Sequence, residues 1–330
     1  MAEDRQMLRL FTLDPLHIGV GQDIMGEVDL PIDRESENGV PRIPGTALKG
    51  GFRAHAAWKL KMEGKKTKPC PGDQPNKDPL PREHYCGITS CPICQTFGFP
   101  SLNIQKEQIA GHEGRVWFRD ARLSFFPALT DQGTLWFSTP GRAAAWLDMK
   151  EYPEQLTAGN DFALSVNKEK PIQKLRVGWI SISDIANSSD DEQIQKLLDA
   201  LRNSKEQLNF PTKEYWQHIV SNTVLLEEKN FYRLVETCLE RRTCNRVDQE
   251  TGTVANGALF SYEALPRASL LCSKIYAEKS LPGTVEGFAS PLEVCNLAKE
   301  GFARMGIGGM QTRGLGSLLI ELSGTEVGNG

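Results

Sequence analysis

The chain has 330 residues, 39% of them hydrophobic and 24% charged, enough to bury a large core in one or two domains. Its formal net charge of -4 and pI near 5.9 exclude a global basic field as the means of reaching nucleic acid or an anionic membrane. Any polyanion site must therefore be local, and with no apolar run near the roughly 20 residues that cross a bilayer, a cytoplasmic protein without a membrane partner is expected.

In chain order, residues 6–15 (QMLRLFTLDP) predict a first strand closed by Pro15. A glycine-punctuated loop follows, LHIGVGQDIMGEVD, and then the turn-rich DLPIDRESENGVPRIPGT. Thr46 is placed to cap a helix running to about Met62, with Leu48, Phe52, Ala56 and Leu60 forming its buried stripe. Residues 64–81, rich in Lys, Pro, Gly and Asp, read as an insertion without a core of its own. Residues 114–127 predict a core strand, 133–140 the next, and 141–149 a short helix. An amphipathic helix is expected over about 190–208, capped by Ser188, Ser189 or Asp190. Residues 245–260 suggest a hairpin turning at Thr251-Gly252, and GIGGMQTRGLGSLLIEL a glycine-rich loop entering a terminal strand. This order predicts an α+β sandwich rather than an alternating βαβ sheet.

Four of the eight cysteines, Cys70, Cys86, Cys91 and Cys94, fall within one short window that begins in this insertion. In a reducing compartment such clustering favours a metal over disulfides, and four soft ligands match the closed tetrahedral site of a structural zinc ion. The metal would supply the folding free energy the segment cannot draw from burial. His84 is the substitute ligand should Cys70 stand too far away.

Lys49 and Arg53 pose an electrostatic question, because cations in the first turns of a helix oppose its dipole by a few tenths of a kcal/mol, about 0.3 or more each. An anion such as phosphate at the helix start would use both. The C-terminal loop offers a second anion site: glycines at 306, 308, 309, 314 and 316 let a ligand approach the backbone N–H groups, and Arg313 adds a cation. It enters a strand and not a helix, so it is no dinucleotide fingerprint. Asp29 lies in an acidic loop with His17, Asp14, Asp23, Asp33, Arg34 and Glu35, and is either a solvated turn residue or a general base or metal ligand acting on a phosphodiester.

LHIGVGQ, GEVDLPIDRE, NGVPRIPGTALKGGFR, FRDARL, NGALFSYEALP and GGMQTRGLG together resemble, in order, the motif series of the RAMP superfamily. The resemblance spans about Leu8 to Leu322 and is nearest the backbone subunits of type III CRISPR effector complexes, with features of the Csm-like, Cmr-like and III-D-like branches. It implies a single domain over 1–330 with a ferredoxin-like (RRM-like) core, a zinc-binding insertion over about 63–98, a projecting thumb hairpin drawn from about 225–262, and the glycine loop and terminal strand over 300–322. It further implies partners: a guide CRISPR RNA, a target RNA, copies of the chain or related RAMP subunits, and other type III effector subunits. Lys49, Arg53, Thr46, Gly308, Gly309, Arg313 and Gly314 become guide-RNA contacts. Asp29 becomes the residue required for cutting the target at regular intervals with a divalent cation such as Mg2+, assisted by His17 and Glu263. The alternatives are a purely architectural guide-binding subunit and a guide-processing RAMP endoribonuclease.

Overall fold

The first strand shows how the sequence builds the molecule. Along β1 (Glu3–Thr12), Leu8 and Leu10 enter one hydrophobic cluster while Met7 and Phe11 enter another, the two-residue period of a strand buried on both faces. The computed structural model describes residues 3–21, 28–64, 89–100, 102–104, 107–149, 163–245, 259–283, 285 and 287–324.

After β1 come β2 (Arg42–Ile43), α1 (Gly45–Met62), α2 (Pro92–Phe97), β3 (Leu102–Ile104), β4 (Glu107–Ile109), β5 (Val116–Phe118), β6 (Ala121–Thr130) and β7 (Gly133–Ser138). There follow α3 (Pro140–Trp146), β8 (Ala163–Ser165), β9 (Leu175–Val177), β10 (Ile180–Ile182), α4 (Glu192–Gln207), α5 (Lys213–Ser221), β11 (Thr223–Leu226) and α6 (Glu228–Cys238). The chain ends through β12 (Glu240–Cys244), β13 (Phe260–Ala264), β14 (Leu270–Glu278), α7 (Pro291–Asn296), α8 (Lys299–Arg304) and β15 (Leu318–Gly324).

The architecture is α+β around one large sheet in the order β15-β1-β14-β6-β7-β11-β8. Its β15-β1-β14-β6 portion is antiparallel throughout. Taken in chain order these strands and the helices between them run β1, α1 with α2, β6, α3 to α6, β14, α7 with α8, β15. One face carries α1, α2, α7 and α8, with Leu48, Phe52, Ala56, Leu60 and Phe302 fully buried against Leu8, Leu10 and Leu318. The other carries α3, α4 and α5, packed around Trp136, Trp146 and Trp216. No helix among the described residues is long and apolar enough to cross a membrane.

The predicted stripe on α1 is the one observed. Three local expectations are corrected. The strand expected over 114–127 divides into β5 and β6 at Arg119-Asp120, whose job is at the site described below. The cap of α4 is Asp191, which accepts from the N–H groups of Gln193 and Ile194. The cap of α1 is not Thr46: the helix starts at Gly45 after Pro44, and Asp120 accepts the Gly45 N–H at 2.9 Å. The turn of the expected 245–260 hairpin lies outside the described residues, but β12 and β13 on either side pair as an antiparallel ribbon.

Candidate functional site

The start of α1 has no acid in its first turn. Asp120 supplies the missing carboxylate from β6's threshold, and Arg42, bonded to both Asp120 (2.7 Å) and Asp33 (2.6 Å), locks it there. Lys49 is half-buried and has no carboxylate partner among the described residues. Burial and the neighbouring Arg53 charge both push its ammonium pKa down, so an arriving anion would relieve a real electrostatic tension. Arg53 donates to the Gly98 carbonyl at 2.7 Å and approaches the Cys94 sulfur at 3.8 Å. Thr46 is exposed on the first turn of the helix.

The glycine loop docks beside that helix start. His55 of α1 donates from Nε2 to the Gly306 carbonyl at 2.7 Å, and the Gly309 N–H donates to the His17 carbonyl at 2.8 Å. Arg313 is exposed, stacks over Phe260 at 5.6 Å, and has no carboxylate partner among the described residues; Gly314 beside it is left-handed. An open cavity of about 370 Å³ lies between His17, Gly19, Gly21, Leu30, Ala47, Gly308 and Gly309. It joins the loop after β1, the first turn of α1 and the glycine loop in one cleft.

Gly308 is the tightest point of this cleft. Its φ of +89° and the 2.3 Å that would separate a Cβ from the His17 carbonyl oxygen leave no room for a side chain. Gly308→Ala should cost about 2–5 kcal/mol in unfolding experiments, combining left-handed strain with a clash against fixed backbone. Gly314→Ala, at φ +81° with nothing within 4 Å, should cost only the strain, about 1–2 kcal/mol. Equal melting temperatures for the two variants would contradict this reading.

His17 is buried, and its Nδ1 lies 2.7 Å from the Glu263 carbonyl, which can only accept. The proton therefore sits on Nδ1, and in the neutral ring Nε2 bears the lone pair on the cavity side. Asp29 stands next to Leu30 of the cavity wall. Leu30 makes a single parallel bridge to Tyr262 of β13, through its N–H to the Ser261 carbonyl and the Glu263 N–H to its own carbonyl, so the backbone beside Asp29 is tied to β13. The Asp29 Oδ2 accepts from the Ser261 N–H (2.7 Å) and hydroxyl (2.9 Å), while the Asp29 N–H donates to the Ser261 Oγ at 3.1 Å. These bonds hold the carboxyl pKa below its ordinary range, against a smaller opposing effect of burial. Asp29 Oδ1 accepts no hydrogen bond among the described residues.

Glu263, expected as a helper at the cut, is buried with both oxygens within 3.1 Å of Arg34. Arg241 and the Ile32 N–H also approach it. Its geometry braces the loop. Glu35 forms a second brace, receiving Arg142 at 3.2 Å and Arg122 at 2.9 Å. Ser261, Asp120, Arg142 and Glu35's buried role were not read from the sequence; the one available signal was Ser261 two residues before Glu263 in SYEALP.

Of the expected zinc ligands, Cys91 and Cys94 are buried at the first turn of α2, three residues apart. Cys70, Cys86 and His84 lie outside the described residues. Among the described residues no group of three or more potential ligands could hold a metal ion.

The profile of the RAMP superfamily matches residues 9–319. The chain belongs to this superfamily. Among individual RAMP relatives, the CRISPR system Cmr endoribonuclease Cmr4 of Pyrococcus furiosus is 24% identical over 276 residues, 82% of this chain and 80% of that one. The crystal structure of oligomeric Cmr4 from Pyrococcus furiosus shares the fold with a TM-score of 0.59 at 20% identity, covering 98% of this chain and 99% of that one. A chain of the type III-B Cmr-beta complex bound to cognate target RNA gives 0.57 at 16% identity, over 96% of each. This RAMP protein thus keeps the fold across low identity.

Proposed function

We propose that this chain is a guide-RNA-binding backbone subunit of a type III CRISPR effector complex, and that it cuts complementary target RNA at regular intervals. The observation that carries the reading is Asp29: a carboxylate kept ionised by Ser261, with one oxygen open, next to a cleft walled by His17, the start of α1 and the glycine loop. An ionised carboxylate with a lowered pKa is a weak proton acceptor but a good ligand for a hydrated divalent cation. Such an ion, when bound, supplies charge neutralisation at the scissile phosphate. Asp29 Oδ1 would hold it, with water and RNA as the remaining ligands; His17 Nε2 faces the same cleft and is placed to orient the reacting phosphate or hydroxyl. Lys49, Arg313 and the N–H groups about Gly308, Gly309 and Gly314 take the guide backbone, since Lys49 and Arg313 have no carboxylate partner among the described residues and stand on the helix and loop that wall the cleft. We assign Arg53 to fastening α2 against α1, and Glu263 to bracing Arg34. The subunit's neighbours in this reading are further copies of itself and the other effector subunits, in the cytoplasm.

The strand order supports a ferredoxin-like core: β1, β6, β14 and β15 stand to one another as strands 1, 2, 3 and 4 of a sheet ordered 4-1-3-2 with two helical crossovers. The β12–β13 ribbon supports a thumb arising beside Asp29's anchor. For zinc, two buried thiols with an arginine guanidinium beside one of them suit metal-bound thiolates. Purified protein should carry about one equivalent of zinc by elemental analysis; less than about half an equivalent would remove the assignment. The cutting function is tested by assembling the complex on a guide, adding complementary RNA and Mg2+, and looking for fragments at a regular spacing.

A further inference from the structure

The geometry assigns Ser261 as the positioning residue of the cut: it grips Asp29 through Oδ2 and so makes Oδ1 the oxygen offered to the reaction, an inference that rests on the function proposed above. The bonding is reciprocal. Ser261 gives its N–H and its hydroxyl to one carboxylate oxygen, and its Oγ takes the Asp29 N–H in return. Main chain and side chain of Asp29 are thereby fixed against one residue, leaving no torsion that could exchange the two oxygens without breaking two bonds. A hydroxyl does this with its donor and acceptor capacity used together.

The site around Ser261 is rigid in its own right. Leu30 bonds to β13 on both sides of Ser261's neighbour Tyr262, and Glu263 holds Arg34 one step further. Thr243 of β12 lies across the ladder from Ser261. The acid is therefore anchored to the root of the ribbon proposed as the thumb, so that ribbon also sets where Oδ1 stands. No charged group takes part in this grip: what lowers the Asp29 pKa is hydrogen bonding by Ser261.

Groups that orient a functional carboxylate through hydrogen bonds typically contribute about 10- to 100-fold in activity. Ser261→Ala keeps the backbone N–H and loses the hydroxyl, so it should slow cutting about 10-fold at saturating target while leaving guide binding, assembly and target affinity at parent levels. Ser261→Thr restores donor and acceptor and should cut within about 2-fold of the parent. A packing role alone would make the two variants equally slow or alter target affinity in step with rate. Asp29→Asn is measured beside them in the same reconstituted complex. If Asp29→Asn cuts like the parent, the proposed function falls and the positioning role falls with it. If Asp29→Asn is inactive while Ser261→Ala cuts at the parent rate, or while alanine and threonine are equally slow, only the positioning role is overturned. Loss of rate in Ser261→Ala with rescue by Ser261→Thr establishes it.

Discussion

Asp29→Ala should lower target-RNA cutting by about 100- to 10,000-fold while leaving guide binding, assembly and target binding unchanged. The separation follows from where the side chain stands. Its hydrogen bonds go only to Ser261, among the described residues, and its open oxygen makes no contact that holds the fold. The loop around it is held independently, by Arg42 on Asp33, Arg34 on Glu263, and Arg142 on Glu35. Removing the carboxylate therefore empties the reactive position without releasing the segment. Gel analysis of cut products, with a melting curve of the same sample, reads both halves of the prediction. A variant that cuts at regular spacing with parent-like rate would overturn the catalytic assignment of Asp29. Because the carboxyl pKa is lowered, the parent should also keep Asp29 ionised throughout the neutral and mildly acidic range, so any loss of rate on moderate acidification has another source.

The largest expected effect on stability belongs to Arg142. Its guanidinium is buried on α3 and donates to Glu35, to Glu228 at 2.7 Å and to the Leu123 carbonyl at 2.9 Å, while lying over the Phe231 ring. Burial alone would raise the Glu35 pKa, but Arg142 and Arg122 together hold it below the ordinary glutamate range. Arg142→Ala leaves a buried carboxylate with one half-exposed cation, Arg122, and the Asn38 amide, and should cost about 3–5 kcal/mol. That corresponds to a fall of roughly 10 °C in melting temperature for a domain of this size. Glu35→Gln added to Arg142→Ala should restore part of the loss, because the unpaired buried charge is gone; simple additivity of the two would contradict the account. The sign of the pH dependence is fixed as well. A carboxyl whose folded pKa is depressed gives stability that is complete above its unfolded pKa and lost as pH falls through the folded one. The parent should thus lose stability on acidification below the ordinary glutamate range, more steeply than Arg142→Ala.

These two residues show where sequence reading stops. Asp29 stood out because an acid in a glycine-bounded loop, followed by Pro and Arg, matched a family motif series. Arg142 gave no such signal: within GRAAAW it looks like a surface cation of a short helix, and its partner Glu35 is 107 positions away. The puzzle of cations at the start of α1 was posed correctly by the sequence, yet Asp120, 75 residues downstream of Gly45, turns out to supply the missing acid. No local pattern shows that Arg53 donates to the Gly98 carbonyl and approaches the Cys94 sulfur.

What the sequence determined by itself was local and periodic. The stripe Leu48, Phe52, Ala56, Leu60 follows from a helical repeat and the alternation in β1 from the strand repeat. Motif order fixed the superfamily. Only the tertiary structure decided which polar groups meet: that Ser261 takes Asp29, that Asp120 caps α1, that Arg142 neutralises Glu35. Hydrogen bonds and ion pairs act over a few ångströms, and the chain brings such partners together by sheet order, which no local pattern records.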